Sequence, residues 1–494
     1  MNSAINYLEE AISILNRDEA RLERIDAYYN GVHDAPYMPD GANAEYHLLA
    51  KRATTNWMQL LVDTPCQALY VDNFRRSEEM TIDADISPEW KHWQESRLDA
   101  RQGDIYRAAL EFGQSYVLTE KDKKGRVISR GLSPLRTVTL YEDPAFDLDP
   151  WAAVYVKRFP IEVKPETNQR GLALVWDETH RYEIEFDEGD LNPRILSKAP
   201  HGAGECPVTR FTAYLDLEGR SWGVVEPLIE VQNRFNQTIF DLLMAQTYTA
   251  FEVRTVTGMA PPFEMELNED NRWVPKLDDN NQPIPAKTYL NASRMLYAED
   301  KDVEFKTLPG GDLAGFIAAA ELAMRHISAI SQTPPHHLLG QIANVSAEAL
   351  QAAETALSRK VENFRSAFSE SWERVFRLAL AILGEPGSDD YLGEVVWRDL
   401  GTSSLAQTAD ALGKFGDSLG IPKQGLWPRV PKVTRQELKE WSDLRTKQDQ
   451  DMQLMAELQL KMQQAAKATQ TPGTSSASGT ATRYGAVNDT AKAA

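Results

Sequence analysis

Three groups of residues are candidates for chemistry. Asp143, Asp147 and Asp149 could gather around a magnesium ion, because hard cations take carboxylate oxygens and such clusters serve nucleases. Pro144 and Pro150 are interleaved with them, which makes an acidic surface loop the better reading. His336-His337 offers two adjacent nitrogen ligands, but the sequence shows no partner to orient the rings, and no metal is assigned there. Gly202-Ala203-Gly204 comes nearest to a nucleotide loop. Pro207 stands where a third glycine would open the helix, so this is read as a turn.

The signatures G-x-x-x-x-G-K-[ST], H-E-x-x-H and G-x-S-x-G are all missing. Cys66 and Cys206 stand far apart without a C-x-x-C partner, so neither a disulfide framework nor a zinc site is implied. These residues assign no catalytic, cofactor-binding or metal position. The expectation is a protein that is not an enzyme and carries no cofactor.

Charge narrows the partners. With 53 basic against 73 acidic residues the net charge is -20, which argues against a surface that grips phosphates by counterion release. No stretch interleaves clustered Lys and Arg with aromatics, as single-strand grooves do. At 494 residues, 42% hydrophobic and 26% charged, the chain reads as soluble and folded, with roughly three globular units. The N-terminus MNSAINYLEE lacks a basic leader, and no run approaches the roughly 18 apolar residues of a membrane span. Secretion and membrane insertion are not expected, and synthesis in a reducing cytoplasm is.

The elements that must position any site follow from periodicity. Ile5, Leu8, Ile12, Leu15, Leu22 and Ile25 recur at helical spacing until Asn30-Gly31. Helical runs follow over about 45–63 and 90–112, the second with Trp90, Trp93 and Leu98 as aromatic core. From 115 to 215, short alternating runs separated by Gly, Pro and Asp predict strands. Pro227 opens a long helix to about 251, residues 252–308 return to short strands, and Leu313, Ile317, Ala320, Met324 and Ile327 mark another helix. The first of these helices carries Glu226, Glu230 and Asp241 against only Arg234, and the second has Asp312 and Glu321 against Arg325. In isolation these are solvated faces.

Thr333-Pro334-Pro335 ends the second helix, and the prolines with Gly340 predict a loop without regular structure over 332–345. Ser346 and Glu348 suit the start of the next helix, which Leu357, Val361, Phe364, Phe368, Trp372, Val375, Ala379 and Ile382 carry to Gly384. Two more helices are expected, at about 403–419 and 434–468. The tail from about 470 has linker composition and is expected to be disordered.

In order along the chain stand Tyr28-Tyr29-Asn30-Gly31, Asn56-Trp57 with Leu61-Val62-Asp63, Trp90-x-x-Trp93 with Leu98-Asp99, and Phe112-Gly113-Gln114-Ser115-Tyr116-Val117. Gly219-Arg220-Ser221-x-Gly223, Pro334-Pro335 with Leu339-Gly340, and Ala409-Asp410-Ala411 before Gly420-Ile421-Pro422 continue the series. With the order helix, small β module, helix, loop and longer helix, the chain resembles the portal proteins of long-tailed double-stranded DNA bacteriophages, their head-to-tail connectors.

The resemblance implies an α+β ring subunit. Residues 1–224 and 346–399, the latter a long helix and following strand, would form an α/β wing. Helices 225–251 and 311–331 would form the stem, 252–310 the β-containing clip, 332–345 the tunnel loop, 400–469 a helical crown and 470–494 a free tail. It also implies a homo-oligomeric ring of about twelve subunits. This would be a channel for genome packaging, retention and ejection, and for tail attachment, at one vertex of the virion.

The implied partners are double-stranded DNA in the channel, the terminase large subunit, scaffold and major capsid protein, and a head-completion adaptor, with no membrane. Synthesis would be in the host bacterial cytoplasm. His336, His337, Gly340, Gln341 and Asn344 would face DNA in the tunnel loop, and Glu226, Glu230 and Glu321 would line the channel as stem acids. A scaffold without a channel, phage or cellular, and a metal-dependent nuclease built on the 143–149 acids are the alternatives weighed.

Overall fold

The computed structural model describes residues 2–38, 44–76, 87–160 apart from 145 and 148, 169–187, 191–250, 254–257, 263–267, 272–278, 282–284, 304–307, 313–340, 347–398, 405–430, 433 and 435–468. The chain divides into two compact units, the second containing residues 401–494.

In the first unit, helix α1 (Asn2–Tyr29) serves two cores with one apolar stripe. Its first half sets Ala4, Leu8, Ala11, Ile12 and Leu15 against Val154, Val156, Val175 and Ile184. Its second half sends Leu22, Ile25 and Tyr28 into the main core. The run expected over 45–63 is two helices, α2 (Ala44–Ala53) and α3 (Met58–Gln67). The break is chemical: Asn56 donates to the Tyr29 carbonyl at 2.8 Å and accepts from the Met58 amide at 3.1 Å, so its side chain competes with the helix.

Strand β1 (Val71–Arg75) follows, and the run expected over 90–112 again divides, into α4 (Pro88–Glu95) and α5 (Leu98–Phe112). Arg97 between them takes a left-handed conformation, φ 55°. Trp90 and Trp93 stack at 5.5 Å and, with Leu98, are buried as core.

Two antiparallel sheets occupy the middle. Strands β2 (Gln114–Lys121), β3 (Val127–Leu132) and β9 (Val208–Thr212) form one, in the order β3-β2-β9. Strands β4 (Thr137–Leu140), β5 (Ala152–Arg158), β6 (Gly171–Trp176), β7 (His180–Phe186) and β8 (Arg194–Pro200) form the other as a meander. A short hairpin, β10 (Tyr214–Leu215) with β11 (Ser221–Trp222), leads to a 3-10 turn at Glu226–Leu228 and then α6 (Ile229–Ala250).

Strands β12 (Arg254–Thr257), β13 (Met265–Leu267), β14 (Trp273–Pro275) and β15 (Glu304–Thr307) lie between α6 and α7 (Ala314–Ser331). The outer pair, β12 and β15, run antiparallel with Arg254 opposite Thr307, and β13 pairs β14. After α7 come α8 (Pro335–Leu339) and α9 (Ala347–Leu383), then β16 (Glu394–Trp397), which pairs antiparallel with β1.

The stripe on α9 dominates the main core. Trp372 meets Trp93 edge-on at 4.8 Å and donates its indole N–H to the Tyr106 hydroxyl at 2.7 Å, while Phe368 stacks on Tyr106 at 5.3 Å. Each such ring contributes roughly 2–3 kcal/mol by burial.

The second unit contains α10 (Leu405–Leu419), α11 (Lys423–Leu426), a 3-10 turn at Trp427–Arg429 and α12 (Arg435–Ala468). Trp427 meets Trp441 edge-on at 6.1 Å, while Leu444, Met455 and Met462 of α12 stay exposed. The tail expected beyond 470 lies outside the described residues. Among the described residues, no helix is long and apolar enough to cross a membrane.

Candidate functional site

The site is built on the helix pair α6–α7 and the chain that follows it. Phe235 of α6 packs with the small residues Ala320 and Ala323 of α7, all buried, so the two backbones approach closely. His326 accepts at Nδ1 from the Arg234 guanidinium at 2.7 Å on the more exposed side of the pair.

The pair is seated on the N-terminal region by polar contacts that no local pattern announces. Glu226 lies 2.6 Å from Arg21 and Glu230 lies 2.9 Å from Arg24, both arginines being on α1. The Tyr28 hydroxyl donates to Asn233 at 2.5 Å, and buried Gln232 donates to the Thr55 carbonyl at 2.8 Å. His33 is fixed as one tautomer: Nε2 donates to the Tyr28 carbonyl at 3.1 Å, and Nδ1 accepts from Asn236 at 2.9 Å. Burial holds its pKa below the ordinary histidine value.

The expected acids therefore stand in two different settings. Glu226 and Glu230, read from the sequence as a solvated acidic face, have cationic partners on α1. Among the described residues Glu321 pairs along its own helix, with Arg325 at 3.5 Å. A pairing across some 205 residues carries no sequence signal beyond charge.

The segment expected as a structureless loop over 332–345 contains helix α8. α7 ends at Ser331 with Gln332 left-handed, φ 54°, rather than at the prolines, which begin α8: Pro334 occupies the N-cap and Pro335 the first helical position, where a missing amide costs nothing. Gly340 closes α8 in the left-handed conformation, φ 63°. The Thr333 carbonyl accepts from the Ser328 hydroxyl at 2.6 Å, the Lys360 ammonium donates to the Ser331 carbonyl at 2.8 Å, and Leu338 enters the main core. Burial lowers the Lys360 pKa to about 8.

His337 Nε2 hydrogen-bonds one carboxylate oxygen of Glu354 on α9 at 3.0 Å, and His336 Nε2 lies 2.9 Å from the same oxygen. Glu354 is the orienting partner that sequence reading did not find. Gln341 and Asn344 lie outside the described residues. Asp147 accepts from the Asp143 amide at 2.8 Å within its turn, and Asp149 pairs with Arg374 of α9, so these acids shape the loop and tie it to that helix.

The family described as "Phage portal protein, SPP1 Gp6-like" matches residues 8–451. The portal protein of Mycobacterium phage D29 is 25% identical over 455 residues, covering 88% of each chain. That of Mycobacterium phage L5 is 26% identical over 426 residues, covering 84% of this chain and 82% of the relative. Among solved structures, a chain from the virion of a native gene transfer agent particle is similar over 83% of this chain at 12% identity, with a TM-score of 0.40. The family match runs unbroken from α1 through α6, α7 and α9 into α12, and on that extent the chain belongs to the SPP1 Gp6-like phage portal protein family.

Proposed function

We propose that the chain is one subunit of a closed ring of about twelve copies at a single capsid vertex, forming the channel through which double-stranded DNA is packaged, retained and ejected. The observation that carries this reading is the unit α6, β12–β15, α7: two packed helices leaving and re-entering a small module whose outer strands pair with each other.

In this reading α6 and α7 are the stem, 252–310 the clip, 332–345 the tunnel segment, 1–224 with 346–399 the wing, and 400–469 the crown. Apolar side chains left uncovered in the single chain support assembly: Ile317, Leu322 and Ile330 on α7, and Leu444, Met455 and Met462 on α12. Head-to-tail contacts between unlike faces would cover them. Trp273, 65% exposed, gives the clip an apolar docking point for the terminase large subunit and later the head-completion adaptor. Scaffold and major capsid protein would meet the wing.

The chain acts as a conduit without catalysis. About twelve copies at -20 each repel phosphate, which keeps DNA sliding with little friction. Glu226, Glu230 and Glu321 contribute to that field, each tempered by an arginine partner. His336, His337, Gly340, Gln341 and Asn344 belong to the segment that meets DNA. The protein would reside in the virion after synthesis in the host bacterial cytoplasm.

The test is electron microscopy of the purified chain with light scattering. Annular particles are expected without metal or nucleotide. A monomer at every concentration and salt level, with scaffold present, would refute the proposal.

A further inference from the structure

We propose that His336, His337 and Glu354 form a binding site for one divalent transition-metal ion, of the zinc class, which clamps α8 to α9. Among the described residues this is the group of three histidine, cysteine or carboxylate side chains whose ligand atoms converge, all lying within 4.8 Å of one another. Both Nε2 atoms lie against the same Glu354 oxygen, at 2.9 and 3.0 Å, so the three donor atoms are gathered in one place.

Two imidazoles and one carboxylate are a borderline nitrogen and oxygen set that suits zinc, cobalt or nickel better than magnesium or calcium. With bonds of about 2.0–2.1 Å, tetrahedral ligand atoms stand roughly 3.3 Å apart, within the range these atoms already span. Seating the ion replaces the His337–Glu354 hydrogen bond by coordination. The fourth position would hold water.

The mounting is stiff on both sides. Buried Leu338 fixes α8, and the contacts Ser328–Thr333 and Lys360–Ser331 fix the turn before it. Glu354 sits on α9, the element that anchors the main core. The three side chains are 18%, 29% and 36% exposed, which leaves a path for the ion from solvent. The two ligand-bearing helices flank residues 341–346, so a bound ion would hold together the two ends of that segment. This inference stands on the three side chains and does not depend on ring formation.

The test uses the full-length, tag-free chain titrated with Co²⁺ and, separately, Zn²⁺. The expected result is one equivalent of Co²⁺ per chain with the intense visible absorption of a tetrahedral site, displaced by Zn²⁺. Glu354→Gln and the double change His336→Ala with His337→Ala should each weaken binding at least tenfold while leaving the circular dichroism unchanged. Hydrogen exchange across 335–340 should slow on adding Zn²⁺ and recover with a chelator. Absence of a stoichiometric Co²⁺ band in the wild type, or equal binding by Glu354→Gln, would overturn the proposal. Light scattering on the same samples reads assembly separately.

Discussion

The Lys360 ammonium reaches the Ser331 carbonyl at 2.8 Å inside the protein, tying the middle of α9 to the last turn of α7. A cation held there is costly, and burial lowers its pKa from 10.5 to about 8. The folded state then binds fewer protons than the unfolded state between those two values, so this group makes stability rise with pH across that window. Lys360→Met should flatten that rise, by a few kcal/mol at most, in urea unfolding followed from pH 7 to 10. An unchanged slope would mean the ammonium is better solvated than its burial implies.

Glu111 gives the opposite slope. Burial, then the charges of Asp26 and Asp63, raise its pKa from 4.5 to about 8. Here the folded state holds the extra proton, so its contribution is complete below pH 4.5 and is lost as pH climbs through 8. Glu111→Gln should remove that decline and leave the protein more stable than wild type above pH 8. Denaturant midpoints at pH 5 and pH 9 decide it.

Reversing charge at Glu226 or Glu230 should act on the fold as well as on DNA, because each faces an arginine of α1. Glu226→Lys should cost about 1 kcal/mol in thermal unfolding. Adding Arg21→Glu should restore most of the loss. Glu321→Lys, which sets a like charge against exposed Arg325, should lower the melting temperature less than Glu226→Lys does and slow packaging in an in vitro assay.

Gly223 sits where a Cβ would collide with the Leu110 and Glu111 carbonyls at the end of α5. Gly223→Ala should therefore lower stability by about 3 kcal/mol. Expression and denaturant unfolding are the readouts. A wild-type midpoint would show that the 222–224 strand end can move away from α5.

Helices read from apolar spacing were legible because their stripes are long. The expected bounds of α1, α6, α7 and α9 fall within a few residues of those found, as do those of α12, a helix rich in Gln and charge. What failed was punctuation inside continuous stripes. Asn56 and the left-handed Arg97 interrupt the chain while Trp57, Trp93 and Leu98 keep packing into one core, so periodicity persisted through the break. Prolines 334 and 335 were read as breakers, yet at the N-cap and first turn they start α8. The polar site was the least legible. Glu354 lies a helix away from His336 and His337, and Arg21 and Arg24 find their acids across the fold. Charge balance counted within one helix cannot see such partners.

Pairing of Arg254 with Thr307 brings the two ends of the 254–307 segment to about 5 Å of each other. A stretch whose ends meet this closely behaves as an exchangeable cassette: it can lengthen, shorten or change sequence between β12 and β15 without altering the spacing of the helices that carry it. Evolution could thus change the sequence between β12 and β15 while the rest of the fold stays as it is.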